Sequence, residues 1–387
     1  MVKSMPDAFN PELPSIEDLQ EKARKRMPRF AYEYLSGGCF SEVNIRKNTE
    51  DIREVQLRPY YLRDYAGSNM ETELFGKKYS APFGVAPIGL QGLMWPRATE
   101  ILAKSAFEHN IPFILSTVGT ASIETVAELT EGNAWFQLYH PTEESMRDKL
   151  LQRAADAELP VLVILGDTPT FAYRPKEIKN GLSIPPRMSL RNIYQMCTSP
   201  TWSLTSLFAG IPEFKTMKPY IPKGLNMKHL GEFMNKTFSG RLSEDRIKAI
   251  RDKWQGKLVL KGVASCEDME KAVNLGIDGV IVSNHGGRQL DAGESTIKPL
   301  AEISREFKEK TTIMMDSGIR SGSDVACSVA SGAEFTFMGR SFMYGVAAMG
   351  KTGGDHTMIM LKRQLQQVME QVGCERIEDL PKHLIGS

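Results

Sequence analysis

His285 is followed by Gly286, Gly287 and Arg288, which puts an imidazole and a guanidinium three residues apart on a glycine-rich turn. Histidine is the natural general base near neutral pH. An arginine beside it can grip a carboxylate through two parallel hydrogen bonds. Asp167 can orient such an imidazole and stabilise its charged form, as the third group of a catalytic constellation does. A lone histidine also has a purely structural reading, which the residue by itself leaves open. Lys261 ends an apolar run, where a lysine is costly unless it faces an anion. A phosphate, a carboxylate or the anionic edge of a reduced cofactor would each serve.

Two further segments carry anion-binding chemistry. In Asp316-Ser317-Gly318-Ile319-Arg320 and in Gly339-Arg340, glycines permit close backbone approach and arginines supply charge-matched donors. Together they suit a phosphate, whereas either arginine alone could form a surface ion pair. No GxGxxG follows a strand, Gly119-Thr-Ala-Ser-Ile-Glu has the wrong spacing, and no GxxxxGK[ST] is present. A phosphate-bearing cofactor therefore needs another identity, with FMN and PLP the chief candidates. The six histidines show no HExxH or similar spacing, so no metal site is expected.

The elements that must position these groups are eight short apolar runs, at 83–86, 113–116, 135–139, 161–165, 258–261, 280–283, 313–316 and 335–338. Continuous apolarity marks strands buried on both faces, as in parallel sheets. Helical stretches separate them, with Ser265 and Ser323 as expected N-caps. Apart from one gap, strand starts lie about 22 to 33 residues apart, room for a strand, a helix and two loops. The pattern predicts an α/β fold, a (β/α)₈ TIM barrel; a doubly wound open sheet is the alternative. Barrel enzymes work at the C-terminal ends of their strands. Those ends carry Pro87, Ile88 and Gly89, then Ser116, Gln137, Tyr139, Asp167, Lys261 and Ser283, and finally the two anion-binding segments.

The chain has 387 residues, with 48 basic and 47 acidic side chains, a net charge of +1 that offers no global field for nucleic acid. Five scattered cysteines, none in a CxxC pair, point to reduced thiols in a cytoplasmic compartment. The first residues lack the apolar core of a signal peptide, and no run of about eighteen apolar residues suggests a spanning helix. A single domain over 1–387 is expected. Two parts lie outside the repeat: residues 1–75, read as a helical segment with helices near 16–27 and 30–35, and an insertion between strands four and five, roughly 184–240. The insertion holds seven basic and two acidic side chains, net +5, together with Met188, Met196, Met217, Met227, Met234, Trp202, Leu207 and Phe208. Such a segment suits either an anionic membrane surface or an active-site lid.

Ser283-Asn-His-Gly-Gly-Arg-Gln-Leu-Asp291 resembles the signature of the FMN-dependent L-2-hydroxy acid oxidase/dehydrogenase family, and the likeness runs from about residue 15 to 385. Gly89-Leu-Gln-Gly-Leu-Met-Trp-Pro96 and Pro200-Thr-Trp-Ser-Leu204 look most like its mandelate and quinone-linked lactate dehydrogenase branch. The resemblance implies oxidation of a 2-hydroxy acid to the 2-oxo acid, FMN as cofactor, and His285 as base with Asp167 as its partner. It implies Arg174, Arg288 and Tyr34 as grips for the substrate carboxylate, and Tyr139 against the hydroxyl or carbonyl oxygen. It implies Lys261 at the flavin N1/O2 edge. Pro87, Ile88, Gly89, Ser116, Gln137 and Ser283 fall on flavin-ring and ribityl contacts, and Asp316, Ser317, Gly318, Ile319, Arg320, Gly339 and Arg340 on the ribityl-phosphate site. A quinone acceptor, membrane contact by the insertion on the inner face of the cell membrane, and a homo-oligomer, commonly a tetramer, are implied as well; oxygen is the alternative acceptor. The chain departs from the pattern at Val118, where many members carry Trp, and at Leu165-Gly-Asp167, where Thr-x-Asp is common. Gly89 stands where oxygen-using members often have Ala.

Overall fold

The structure, a computed structural model, describes residues 9–182, 187–225 and 227–386. The first eight residues of the N-terminal segment, 184–186 and 226 of the insertion, and the side chains of Met227 and Lys228 lie outside what is described. The strands are β1 (Thr72–Leu74), β2 (Lys77–Tyr79), β3 (Phe83–Val85), β4 (Ile114–Ser116), β5 (Trp135–Leu138), β6 (Val161–Leu165), β7 (Lys257–Val263), β8 (Gly279–Val282), β9 (Thr312–Asp316) and β10 (Phe335–Met338). All eight expected strands are present as β3 to β10, each buried on both faces along nearly its whole length. They pair in parallel in the order β3-β10-β9-β8-β7-β6-β5-β4. A bridge between Val85 and Phe113 brings the two ends together, so the sheet is a TIM barrel and not an open one.

Side chains fill the barrel. Trp135, Met314, Phe335 and Phe337 are fully buried inside it with Val163, Val259 and Ile281, and ring centroids of Phe335 and Phe337 lie 5.4 Å apart. The N-terminal segment carries helices near both expected positions and adds a third helix and a hairpin. After helices Ile16–Arg26, Arg29–Ser36 and Val43–Glu54 it ends in the antiparallel hairpin β1–β2. The hairpin sits against the N-terminal end of the barrel, with Phe75 tilted on Trp135 at 5.7 Å and Tyr79 edge-on to Phe335 at 5.8 Å. Ser265 caps its helix as expected. The next expected cap moves two residues, because Ser321 and not Ser323 accepts from the Asp324 amide, and Asp324 returns the bond in a full capping box.

Between β6 and β7 the chain forms helices Pro175–Lys179, Leu190–Cys197, Pro200–Ala209, Met227–Thr237 and Glu244–Arg251. The insertion is held by its polar groups. Gln195 accepts from the Phe30 amide at 2.9 Å, Asn192 donates to the Asn180 carbonyl at 3.1 Å, and the Trp202 indole donates to the Met94 carbonyl at 3.0 Å. Many of its apolar side chains point the other way: Leu190, Tyr194, Leu207, Phe208 and Ile211 are each at least two-thirds exposed. The helix Leu190–Cys197 is thus amphipathic with its polar face inward, the reverse of an ordinary surface helix. In the insertion Lys218 pairs with Glu213, which the net +5 already includes, and Lys215 pairs with Glu100 outside it, which lowers the local positive charge by one. The methionines divide, Met217 and Met234 joining the core and Met188 staying exposed.

Candidate active site

The C-terminal ends of β3 to β10 and the helix Arg29–Ser36 surround one cavity. Every residue expected in the site lines it except Asp167, Ser116, Gln137 and Ser283. Those four stand directly behind the wall and hold side chains that do line it, or each other.

Asp167 follows β6 and reaches across to β7 and β8. Its Oδ1 lies 2.9 Å from His285 Nδ1, and its Oδ2 lies 3.3 Å from Lys261 Nζ. Lys261 Nζ also contacts Asp316 Oδ2 at 3.2 Å and donates to Ser283 Oγ at 2.8 Å. The approach of Asp167 depends on Gly262, where β7 shifts register and φ is +101°. A Cβ there would stand 2.5 Å from the Asp167 Cβ. The lysine therefore meets its anions within the protein, two carboxylates instead of a bound ligand's charge alone.

Electrostatics follow from this packing. Burial penalises the Lys261 charge, but Asp167 and Asp316 outweigh it and hold the ammonium above its usual range. Burial likewise opposes the Asp167 charge, and Lys261 with His285 overcomes it, leaving the carboxylate well below its usual range. For His285 burial wins: it lowers the imidazole pKa against the pull of Asp167, and Lys261 and Arg174 push the same way. The ring is thus neutral at pH 7 and able to accept a proton. Lys261 between two carboxylates is a cluster of net charge −1, which becomes neutral once His285 is protonated.

His285 itself has φ +58° on the turn after β8, and its amide donates to Ser283 Oγ at 3.1 Å. Arg288 follows on that turn. Its Nη1 donates to the carbonyls of Tyr34 and Gly37, at 2.8 and 2.9 Å, and its guanidinium lies 5.0 Å from the Tyr34 ring centroid. Arg174 donates through Nε to the Arg288 backbone carbonyl at 3.1 Å, which fixes its guanidinium against the turn that carries Arg288. Tyr139 faces them from β5, its hydroxyl pushed up to about 12 chiefly by burial.

The other end of the cavity fits a phosphorylated ring cofactor. Arg340 donates to the carbonyls of Leu35, Gly286 and Gly37 at 2.8–3.0 Å and has no carboxylate partner among the described residues. Burial, then Arg320 and Arg288 nearby, lower its pKa to about 9, the mark of positive charge gathered without an anion. Arg320 is half-buried, and among the described residues its side chain bonds only to carbonyl oxygen. Neither arginine forms a surface ion pair among the described residues. Gly318, at φ +88°, packs so closely on helix Val43–Glu54 that a Cβ would meet the Asn48 carbonyl. Gln137 accepts from Ser116 Oγ at 2.8 Å, while its buried Nε2 has no partner among the described residues. A buried orphan donor on β5 and two anion-seeking guanidiniums after β9 and β10 are what a flavin ring with a phosphate tail would satisfy.

Several cavity residues were not expected from sequence: Phe171, Phe238, Met94 and Thr168. Phe238 comes from the end of the insertion and tilts on Tyr139 at 5.7 Å, a contact without local sequence signal. Thr168 Oγ1 bonds Asp167 Oδ1 at 3.0 Å, placing a hydroxyl one residue beyond Asp167, whereas Leu165 cannot supply one. Gly89 and Val118 are coupled, since a Cβ at Gly89 would lie 2.8 Å from Val118 Cγ2. A larger residue at position 89 would thus require the Val118 side chain to shift.

Comparison with known proteins agrees with the geometry. Residues 23–387 match the family described as FMN-dependent dehydrogenase. An L-lactate dehydrogenase of Vibrio parahaemolyticus is 35% identical over 366 residues, covering 94% of this chain and 96% of that protein. The (S)-mandelate dehydrogenase of Pseudomonas putida is 34% identical over 366 residues, 95% of this chain and 92% of that protein. A crystal structure of (S)-mandelate dehydrogenase, described as a monotopic membrane protein, superposes with a TM-score of 0.91 at 32% identity, covering 97% of this chain and all of that one. The chain belongs to the FMN-dependent dehydrogenases and is an oxidoreductase of the 2-hydroxy acid type, acting on CH–OH groups.

Proposed function

We propose that the protein oxidises an L-2-hydroxy monocarboxylic acid of the lactate or mandelate kind to its 2-oxo acid, with His285 as the base. The observation that carries this reading is the His285–Asp167 contact at 2.9 Å beside a pair of arginines. Arg174 and Arg288 bind the substrate carboxylate, which turns the 2-hydroxyl toward His285 and Tyr139. His285 takes a proton from the substrate, and Asp167 holds the ring and stabilises its charge. Arg320 and Arg340 hold the cofactor phosphate, Gln137 its ring system, and Lys261 supplies positive charge near that ring. Bound FMN supplies the two-electron acceptor for the substrate. Phe171, Phe238 and Met94 exclude water from the reacting end and favour an apolar substrate side chain.

The test is anaerobic mixing of the yellow holoenzyme with L-lactate, L-mandelate and glycolate, followed by oxygen. Rapid bleaching by one acid with slow reoxidation is expected. No bleaching by any of the three rejects the reading, and rapid reoxidation with one peroxide per turnover makes the protein an oxidase.

The acceptor we infer is a quinone in a membrane that the insertion touches. No helix among the described residues is long and apolar enough to span a bilayer. The outward Leu190, Ile193, Tyr194, Leu204, Leu207, Phe208 and Ile211 instead suit a segment lying on the surface. The holoenzyme is expected to float with vesicles containing anionic lipid. The double variant Leu207→Ser/Phe208→Ser should bind at least tenfold more weakly, at about 1.5–3 kcal/mol per buried large apolar side chain. Equal flotation of both proteins rejects this surface.

A further inference from the structure

We propose that Glu177 determines the charge of the substrate headgroup by cancelling one of the two guanidiniums that receive it. This rests on the reading of Arg174 and Arg288 as the carboxylate clamp. Glu177 lies one helical turn after Arg174, on helix Pro175–Lys179, and its side chain is 11% exposed. Its Oε1 stands 2.6 Å from Arg288 Nη2 and 3.3 Å from Arg174 Nη1. It is not part of the cavity wall, whereas both arginines are. The carboxylate therefore supports the guanidiniums from behind.

The consequence is a division of charge along the cavity. Among the described residues no carboxylate lies within salt-bridge distance of the Arg320 or Arg340 guanidinium, so that end offers two charges to a dianion. Arg174, Arg288 and Glu177 together offer one, matched to a single carboxylate. The other nearby acids are already engaged: Glu42 holds Lys176 at 2.6 Å, and Glu33 holds Arg29 at 2.6 Å and accepts from Asn180. None of these contacts a clamp arginine, so Glu177 alone sets the clamp's net charge among the described residues.

Removing that charge without changing shape should alter selectivity between anions of different charge. Oxalate, a dianion at neutral pH, and pyruvate, a monoanion, are titrated into oxidised holoenzyme and followed by perturbation of the flavin absorbance. In Glu177→Gln the oxalate-to-pyruvate affinity ratio is expected to rise about tenfold, as one unit charge a few ångströms away in partly screened surroundings requires. In Glu177→Asp the ratio should stay near that of the parent protein even if both acids bind more weakly. A structural role alone would loosen both acids by the same factor in Glu177→Gln, and an unchanged ratio overturns the proposal. A ratio that rises equally in Glu177→Asp also overturns it, because the charge is kept there. If the parent protein binds neither acid, the clamp reading itself fails and the proposal with it.

Discussion

Replacing His285 by alanine is expected to slow reduction of the bound flavin by the 2-hydroxy acid about 10⁴-fold, the upper range for a lost general base. FMN should remain bound, since the groups suited to its phosphate and ring are Arg320, Arg340 and Gln137, which bond to backbone carbonyls or to Ser116 and not to the imidazole. Backbone strain must be separated from chemistry here. His285 has φ +58°, where alanine is less comfortable than asparagine, whose short polar side chain tolerates the left-handed region. His285→Asn therefore keeps the turn while removing the base, and it should lose rate to the same extent. Stopped-flow bleaching measures the rate, and flavin absorbance after gel filtration measures retention. Rapid bleaching in either variant would remove His285 from its role.

The strands were legible because each is a continuous apolar run, and burial on both faces leaves no other use for such a run between turn residues. Trp135, Phe335 and Phe337 lie in two of these runs, and in the fold they fill the barrel. The hairpin β1–β2 was not legible. Its strands, Thr-Glu-Leu and Lys-Lys-Tyr, are three residues each and mostly polar, and they are stabilised by Phe75 and Tyr79 packing on the barrel floor. Hairpins this short form only where tertiary contacts support them.

The site was legible to the extent that the barrel turns sequence position into spatial position. Residues at strand ends converge whatever their separation, so His285, Lys261 and Arg340 could be grouped from a one-dimensional reading. What the strands do not encode is pairing across loops. Nothing near Lys261 in sequence foretells two carboxylates, from positions 167 and 316, on one ammonium. Glu177 was within reach, because a carboxylate three residues after an arginine on a helix faces it. Its stronger contact is to Arg288, 111 residues away, and only the fold brings that about. The insertion's reversed amphipathicity was hidden for the same reason: Asn192 and Gln195 look solvent-facing until the Phe30 amide and Asn180 carbonyl are found against them.

Asp167→Asn is expected to lower the rate of flavin reduction about 10²- to 10³-fold and to displace its pH dependence toward acid. The amide keeps the shape and can still accept a bond from the imidazole, but it no longer carries the charge that favours a proton on His285. The direction of the displacement follows from what surrounds the ring. Burial, Lys261 and Arg174 all disfavour the imidazolium, and the Asp167 carboxylate opposes them. With the carboxylate gone, the His285 pKa falls further below the ordinary imidazole value of about 6.5. The base must be neutral to act, so kcat/KM rises with pH through this pKa, and the rising limb moves to lower pH in the variant. Its plateau falls because a weaker base accepts the substrate proton less readily. The loss relative to the parent protein is therefore greatest on the plateau and shrinks toward acid, where the parent's histidine is already protonated. Lys261 retains Asp316 at 3.2 Å, so the ammonium keeps one partner and the barrel mouth keeps its packing. A limb that stays in place while the plateau drops would mean that another group titrates there, and Asp167 would then act by position instead of charge.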